Sequence, residues 1–315
     1  MKKYLAALLL ALTLSVQVLA QQSKPDQKAV LITGASSGIG RNMAETLAAN
    51  GYFVYAGARK QEDIDALSAM DNIMGVRLDV NVQEEIDAAV ELVRREGRGL
   101  YGLVNNAGVA VIAPLIEIDE DDLFFQMNVN VFGPYRVTRA FAPLIIQSKG
   151  RITTTGSISG ILSGTLFGPY SMSKHAVEAF TDSLAREMRK FDVEVSVIEP
   201  GNYKSSIVDS LQRRMEQQGF SSEGSLYKEE IDRSLSRLGG IEEDPEPEDV
   251  AQALLSFLSD PDPKRRYMVV PNQDQAEVTI RKAIEELVQL NERHRFTYSR
   301  EALVAMLDEA LDGAD

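Results

Sequence analysis

From residue 28 the chain alternates short, almost continuous apolar runs with longer stretches of helical period. AVLITG reads as a buried strand, and IGRNMAETLAANG as a helix closed by Gly51. YFVYAGAR and IMGVRLDV predict a second and a third strand, each followed by a helix, QEDIDALSAM and then NVQEEIDAAVELVRREG. LYGLVNNAG predicts a fourth strand that ends in a glycine-bearing turn, and a single long helix is expected from about Asp121 to Ser148. GRITTTGS, VEVSVIEPG and RYMVVP complete a set of seven strands, with a helix running from near Tyr170 to about Lys190 between the fifth and sixth. Such alternation implies a parallel sheet with right-handed crossovers and helices on both faces. The expected fold class is therefore α/β, a doubly wound seven-stranded parallel sheet.

After Gly201 the rhythm breaks. Residues 202–245 are polar and predict a lid of two helical pieces around a Gly/Ser joint, and residues 272–315 predict a C-terminal helical extension. The main domain is thus expected over 28–271. The acidic run Glu242–Asp249 reads as a solvated turn with helix-start charges.

Composition removes several classes of function. With 44% hydrophobic and 25% charged residues the chain is globular, and a net charge of −14 without a basic patch argues against nucleic acid. No cysteine is present, which excludes disulfides and thiol chemistry, and two distant histidines, His175 and His294, argue against a zinc site or a Ser-His-Asp hydrolase. Residues 1–20 carry Lys2 and Lys3, an apolar run and a small-residue exit at Ala20, the layout of a secretory signal peptide. The rival reading is a membrane anchor over residues 4–20. An exported or anchored location is expected accordingly.

Two stretches carry chemistry. TGASSGIG, Thr33 to Gly40, stands between the first strand and the first helix, the setting in which a glycine-rich turn binds a dinucleotide. There Gly34 permits a tight turn, Gly38 and Gly40 permit close approach, and the helix N-terminus offers N–H groups to a phosphate. In YSMSK, Tyr170 and Lys174 are four residues apart, hence on one helix face. An ammonium beside a phenol is expected to lower a pKa of about 10 and ready it for proton transfer.

These motifs, with NNAG at Asn105–Gly108, Ser157 ahead of Tyr170, NVNVFG and EPG, resemble the short-chain dehydrogenase/reductase family from about Lys28 to Pro271. The look is that of its hydroxysteroid and retinol dehydrogenase branch. The resemblance implies a Rossmann-type fold and an oxidoreductase acting on CH–OH groups, in which Tyr170 is the acid or base and Lys174 holds the ribose and tunes the tyrosine. It implies that Ser157 orients the substrate oxygen and that Asn130 anchors a water chain to the lysine, with Asn128 set aside on register. It further implies a cofactor cradle of Gly34, Ser36, Ser37, Gly38, Ile39, Gly40, Asp79, Val80, Asn106, Ala107, Gly108, Pro200, Gly201 and Ser205, and pairing into a homo-oligomer.

Cofactor choice follows from charge. An NAD site places an acid at the end of the second strand, whereas an arginine suits a 2′-phosphate. YAGARK has Ala58 there and Arg59 next to it, so NADP(H) is expected over NAD(H). Tyr203, Ile207, Leu211, Met215, Phe220 and Leu226 in the lid either line an apolar pocket for a hydrophobic alcohol or carbonyl, or pack the lid helices. A non-catalytic dinucleotide sensor or scaffold of the same fold is the alternative.

Overall fold

The computed structural model describes residues 27–238 and 244–313, so the expected export or anchor segment and Glu242–Glu243 of the acidic run lie outside the described residues. Among these, seven strands form one sheet: β1 (Ala29–Ile32), β2 (Phe53–Ala58), β3 (Ile73–Arg77), β4 (Gly102–Asn105), β5 (Arg151–Thr155), β6 (Glu194–Pro200) and β7 (Arg266–Val269). Their order is β3-β2-β1-β4-β5-β6-β7, and neighbours run parallel. The chain winds outward to β3 and returns beside β1 as β4. The winding therefore reverses between β1 and β4, where open α/β sheets bind ligands beyond their strand ends. The expected fold class stands.

The helices are α1 (Gly38–Ala49), α2 (Gln61–Ser68), α3 (Gln83–Glu96), α4 (Glu120–Met127), α5 (Gly133–Gln147), α6 (Gly168–Met188), α7 (Ile207–Gln217), α8 (Lys228–Leu238), α9 (Glu248–Ser259), α10 (Gln273–Leu290) and α11 (Arg300–Asp312). Side-chain alternation along the strands feeds two cores. Leu31, Tyr55 and Leu103 pack with Val93, Phe141 and Ile145 on one face. Val30, Ile32, Val54 and Ala56 pack with Met43, Leu47, Leu254 and Phe257 on the other. Burying each such large side chain contributes about 1.5–3 kcal/mol, which is why every strand position from Phe53 to Ala58 is apolar or glycine and buried.

Local chemistry sets the ends. α3 starts with Glu84 and Glu85, finishes with Arg94 and Arg95, and stops at Gly97 with φ +67°, so both termini complement the helix dipole. The helix expected from 121 to 148 is a corrected expectation. α4 and α5 are separated by one π-helical turn, Asn128–Phe132, a local widening that often accompanies function. The lid lies in two helices as expected, α7 and α8, and the extension is α10 and α11, whose buried positions are limited to Thr279. No helix among the described residues is long and apolar enough to cross a membrane.

Candidate active site

At the β1/β4 boundary the glycine turn and NNAG are bonded to each other. Thr33 Oγ1 accepts from the backbone N–H of Asn106 (2.9 Å) and of Ala107 (3.0 Å). The Asn106 amide donates to the carbonyls of Thr33 (3.0 Å) and Gly34 (3.2 Å). Gly34 has φ +64°, and a β-carbon there would stand 2.8 Å from the Ala107 Cα; only glycine meets both demands. Gly40 is buried, and a β-carbon would run into the Gly34 carbonyl oxygen and the Asn106 amide. Ser37 is the N-cap of α1, yet its side chain makes no cap bond, leaving first-turn N–H groups available to an anion. Ser36 and Ile39 are half-buried beside it, and Gly108 is exposed at the end of the second loop.

Other cradle residues surround this turn. The backbone of Ser205 packs on Gly38, where a β-carbon would stand 3.1 Å from its Cα. Pro200 is buried at the end of β6, and the Gly201–Asn202 turn is closed by Gln275 of α10, whose Oε1 accepts from the Asn202 N–H at 2.9 Å. Arg59 is exposed directly after β2, 3.9 Å from Asp79 Oδ2. The other Asp79 oxygen accepts from the Asn81 N–H at 2.9 Å. Val80 is buried, packed where a β-carbon on Gly133 would meet it. A glycine floor, a helix start free of its side-chain cap and an adjoining exposed guanidinium fit a dinucleotide phosphate and ribose.

A hydrogen bond couples this cradle to the next strand: Thr155 Oγ1, at the end of β5, donates to Asn106 Oδ1 at 3.2 Å. Two residues later Ser157 begins a short 3₁₀ turn. Its Oγ accepts from the Ser159 N–H at 3.1 Å and is hydrogen-bonded to the Tyr170 hydroxyl. Lys174 is buried on the same face of α6, with its Nζ 5.4 Å from the Tyr170 ring centre. That ammonium donates to the Thr155 carbonyl at 2.8 Å.

The electrostatics correct one expectation. Burial pushes the Tyr170 phenol up to about 12, against a smaller lowering from the Ser157 hydrogen bond. Burial also draws Lys174 down to about 8, with Glu178 one turn along opposing it. The lysine does not bring the phenol down in this geometry, because its ammonium is turned toward Thr155 and desolvation dominates both groups. At neutral pH Tyr170 therefore holds its proton, as a donor to a carbonyl oxygen must.

Asn130 lies in the π-helical turn, 3% exposed. Its Oδ1 accepts from the Val109 N–H (2.9 Å), and its Nδ2 donates to the Val109 carbonyl (3.0 Å) and to Ser173 Oγ (3.1 Å). Asn128 instead accepts from Arg136 Nη2 at 2.6 Å, so the two asparagines have different partners. Sequence reading missed Gln126 and Ser173. Gln126, fully buried, accepts from the Val111 N–H (2.6 Å) and donates to the Val109 carbonyl (2.9 Å) and Ser173 Oγ (3.3 Å). Ser173 in turn donates to the Tyr170 carbonyl at 2.7 Å. One network thus holds the loop after NNAG against the turn of α6 that carries Tyr170; the four-residue spacing of Gln126 and Asn130 was the available signal. Leu166, just ahead of α6, is buried with φ +70°, a backbone state bulky residues rarely adopt away from functional sites.

In the lid, Tyr203 and Leu211 are buried, Tyr203 with its hydroxyl 3.4 Å from Asp249 Oδ2, so these two pack rather than line a cleft. Phe220 and Leu226 are exposed. Arg214 bonds to Asp122 of α4, and its guanidinium lies 4.0 Å from the centre of the Phe125 ring.

A nicotinamide-dinucleotide cradle joined to a Ser–Tyr–Lys set at the switch point defines an oxidoreductase of the dinucleotide-binding class. The particular family follows from comparison. The family model of the short chain dehydrogenases matches residues 28–216, and this chain belongs to that family. The uncharacterized oxidoreductase YbbO of Escherichia coli is 38% identical over 187 residues, covering 59% of this chain and 69% of YbbO. The mitochondrial D-beta-hydroxybutyrate dehydrogenase of Bos taurus is 39% identical over 56% of this chain, and human 17-beta-hydroxysteroid dehydrogenase type 6 is 37% identical over 60%. Those two are matched over 54% and 62% of their own length. A short-chain dehydrogenase/reductase from Burkholderia phymatum, solved in complex with NAD, superposes with TM-score 0.71 at 26% identity, over 87% of this chain and 98% of that one. A short-chain dehydrogenase from Streptomyces avermitilis gives the same TM-score at 28% identity, over 86% of this chain and 96% of that one.

Proposed function

We propose that this short-chain dehydrogenase interconverts an alcohol, secondary or primary, and a carbonyl on a hydrophobic substrate, with NADP(H) preferred over NAD(H). The observation that carries the reading is the hydrogen-bonded pair of Ser157 and Tyr170 hydroxyls with Lys174 on the same helix face, tied through Thr155 and Asn106 to the glycine cradle. Bound in that cradle, the nicotinamide supplies or accepts the hydride. Ser157 orients the substrate oxygen, and Tyr170, protonated at neutral pH, gives its proton to that oxygen during reduction. Lys174 holds the ribose hydroxyls and stabilises the phenolate left behind. Asn130 holds the loop after NNAG at the correct depth.

Arg59 supports the choice of cofactor: it is exposed beyond a β2 end that carries Ala58 in place of an acid, where it can grip a 2′-phosphate. The exposed Phe220 and Leu226 of the lid support an apolar substrate, in keeping with relatives whose names specify hydroxysteroids. Pairing into an oligomer is supported by exposed Phe124 of α4, Phe132 of the π-helical turn and Tyr135 of α5. Export or anchoring through residues 1–20 rests on the pattern of that segment alone.

The test is titration of the purified protein with NADPH and NADH by nicotinamide fluorescence, followed by turnover on apolar ketones and alcohols. NADPH binding at least tenfold tighter and turnover abolished by Tyr170→Phe are expected. Turnover that survives Tyr170→Phe unchanged overturns the mechanism, and tight binding with no turnover on any carbonyl favours the sensor alternative.

A further inference from the structure

Two acids lie buried behind the active-site loop, and the mechanism above does not use them. Glu178 follows Lys174 by one turn on α6, its side chain 13% exposed; Glu199, near the end of β6, is 3% exposed by the same measure. The Glu178 carboxyl lies against the loop that carries Ser157. A β-carbon on Gly156 or Gly160 would stand 3.2 or 2.9 Å from Glu178 Oε1. The two glycines bracketing Ser157 therefore leave the room this carboxyl fills.

The bonding of the pair is unusual. Arg266 of β7 reaches Glu178 Oε2 at 3.1 Å through Nε, and Asp182 at 2.8 Å through Nη2. It stands 3.9 Å from Glu199 Oε1. The Oε1 atoms of Glu178 and of Glu199 are both buried with no N–H or hydroxyl of another residue to satisfy them, while the two carboxyls are hydrogen-bonded to each other. A carboxylate only accepts, so one proton between the acids is what satisfies both. Two ionised carboxylates sharing this site would repel strongly. The charged groups facing the pair are Lys174 and Asp182 from α6 and Arg266 from β7, and Asp182 in turn faces Arg186 of α6 and Arg265, just ahead of β7. Residues 156–160 contribute none.

We propose that Glu178 and Glu199 share a single proton and act as positioning residues, clamping the Ser157 loop between β6 and the helix face that bears Tyr170 and Lys174. With one proton the pair carries one negative charge, facing the Arg266 guanidinium that it shares with Asp182, and presents a fixed oxygen surface to Gly156 and Gly160. Burial pushes Glu199 up to about 8, with the Glu178 charge next in size, consistent with the proton residing on Glu199. The clamp acts on the reaction through Ser157 and Lys174 and touches neither substrate nor coenzyme. Its kinetic consequence rests on the oxidoreductase reading; the proton itself does not.

The experiment is infrared difference spectroscopy of the full chain, comparing wild type with Glu199→Gln. A protonated-carboxylic-acid band at pH 7 that is missing from Glu199→Gln, and that fades as pH passes about 8 in wild type, is expected. Absence of that band at pH 7, or its persistence in the variant, overturns the shared proton. For positioning, Glu199→Gln retains a donor to Glu178 and is expected to keep kcat within about threefold, whereas Glu199→Leu is expected to lower kcat by about 10²-fold, the cost of a misplacement on the order of 1 Å. The coenzyme Kd is expected to hold in both. Wild-type kcat in a folded Glu199→Leu overturns the positioning role; if that variant does not fold, Glu178→Ala serves with the same expectations. Failure of the function reading shows separately, as turnover that ignores Tyr170→Phe while the infrared band remains.

Discussion

Replacing Gln126 by leucine tests whether the buried amide network holds the loop after NNAG in place. The side chain is fully buried and its three hydrogen bonds are not equivalent. The Val109 carbonyl and Ser173 Oγ both keep a donor in Asn130, at 3.0 and 3.1 Å. The Val111 N–H loses its acceptor, and Val111 is buried. One orphaned donor costs about 1–3 kcal/mol, and the leucine removes the desolvation of the amide, which offsets part of it. A net loss of about 2 kcal/mol is expected, corresponding to a fall in Tm on the order of 4–8 °C for a domain of this size. Urea unfolding followed by circular dichroism measures it. Gln126→Glu is expected to cost more, since a carboxylate satisfies Val111 but meets the Val109 carbonyl lone pairs. A double-mutant cycle with Asn130→Leu is expected to show coupling of at least about 0.5 kcal/mol, because both amides share Val109 and Ser173. A Gln126→Leu loss below about 0.5 kcal/mol would refute the account, because water or backbone adjustment would then be satisfying Val111.

Three further outcomes follow from the geometry. Gly34→Ala combines a positive φ with a β-carbon 2.8 Å from the Ala107 backbone; it is expected to destabilise by about 2–4 kcal/mol and to weaken coenzyme binding, and wild-type binding and Tm would contradict the close-approach argument. Arg59→Asp places an acid just beyond β2 and is expected to reverse coenzyme preference toward NADH by at least tenfold in Kd ratio, with an unchanged ratio removing Arg59 from the site. Glu199 holds its proton to about 8 when folded, above its ordinary glutamate value. The folded chain thus binds more protons across that interval, and stability declines as pH rises from about 5 to 8. Glu199→Gln removes this term, so its Tm relative to wild type is expected to rise with pH over that window; a pH-independent difference would contradict it.

Much of this protein was legible along the chain. The alternation of apolar runs and amphipathic stretches specifies a parallel doubly wound sheet, because a strand buried on both faces is apolar throughout whereas a helix packed on one face keeps period 3.6. TGASSGIG and YSMSK likewise place a glycine turn beyond β1 and Tyr170 with Lys174 on one face of α6, because both are local motifs whose geometry one turn of backbone sets. Ser157, Tyr170 and Lys174 are accordingly found together. Tertiary structure decided what depends on neighbours distant in sequence. Burial, not Lys174, governs the phenol of Tyr170, since desolvation depends on everything packed around it. The π-helical turn at Asn128–Phe132 interrupts a helix that periodicity reads as continuous. Gln126 joins the site only because its helix packs against the loop after β4 and against Ser173. Glu178 and Glu199 are ordinary acids in sequence, twenty-one positions apart, and become a proton-sharing pair only where α6 crosses β6. Propensity and spacing act within a few residues, whereas pKa, orphaned donors and close approaches arise from surfaces that meet only when the chain has folded.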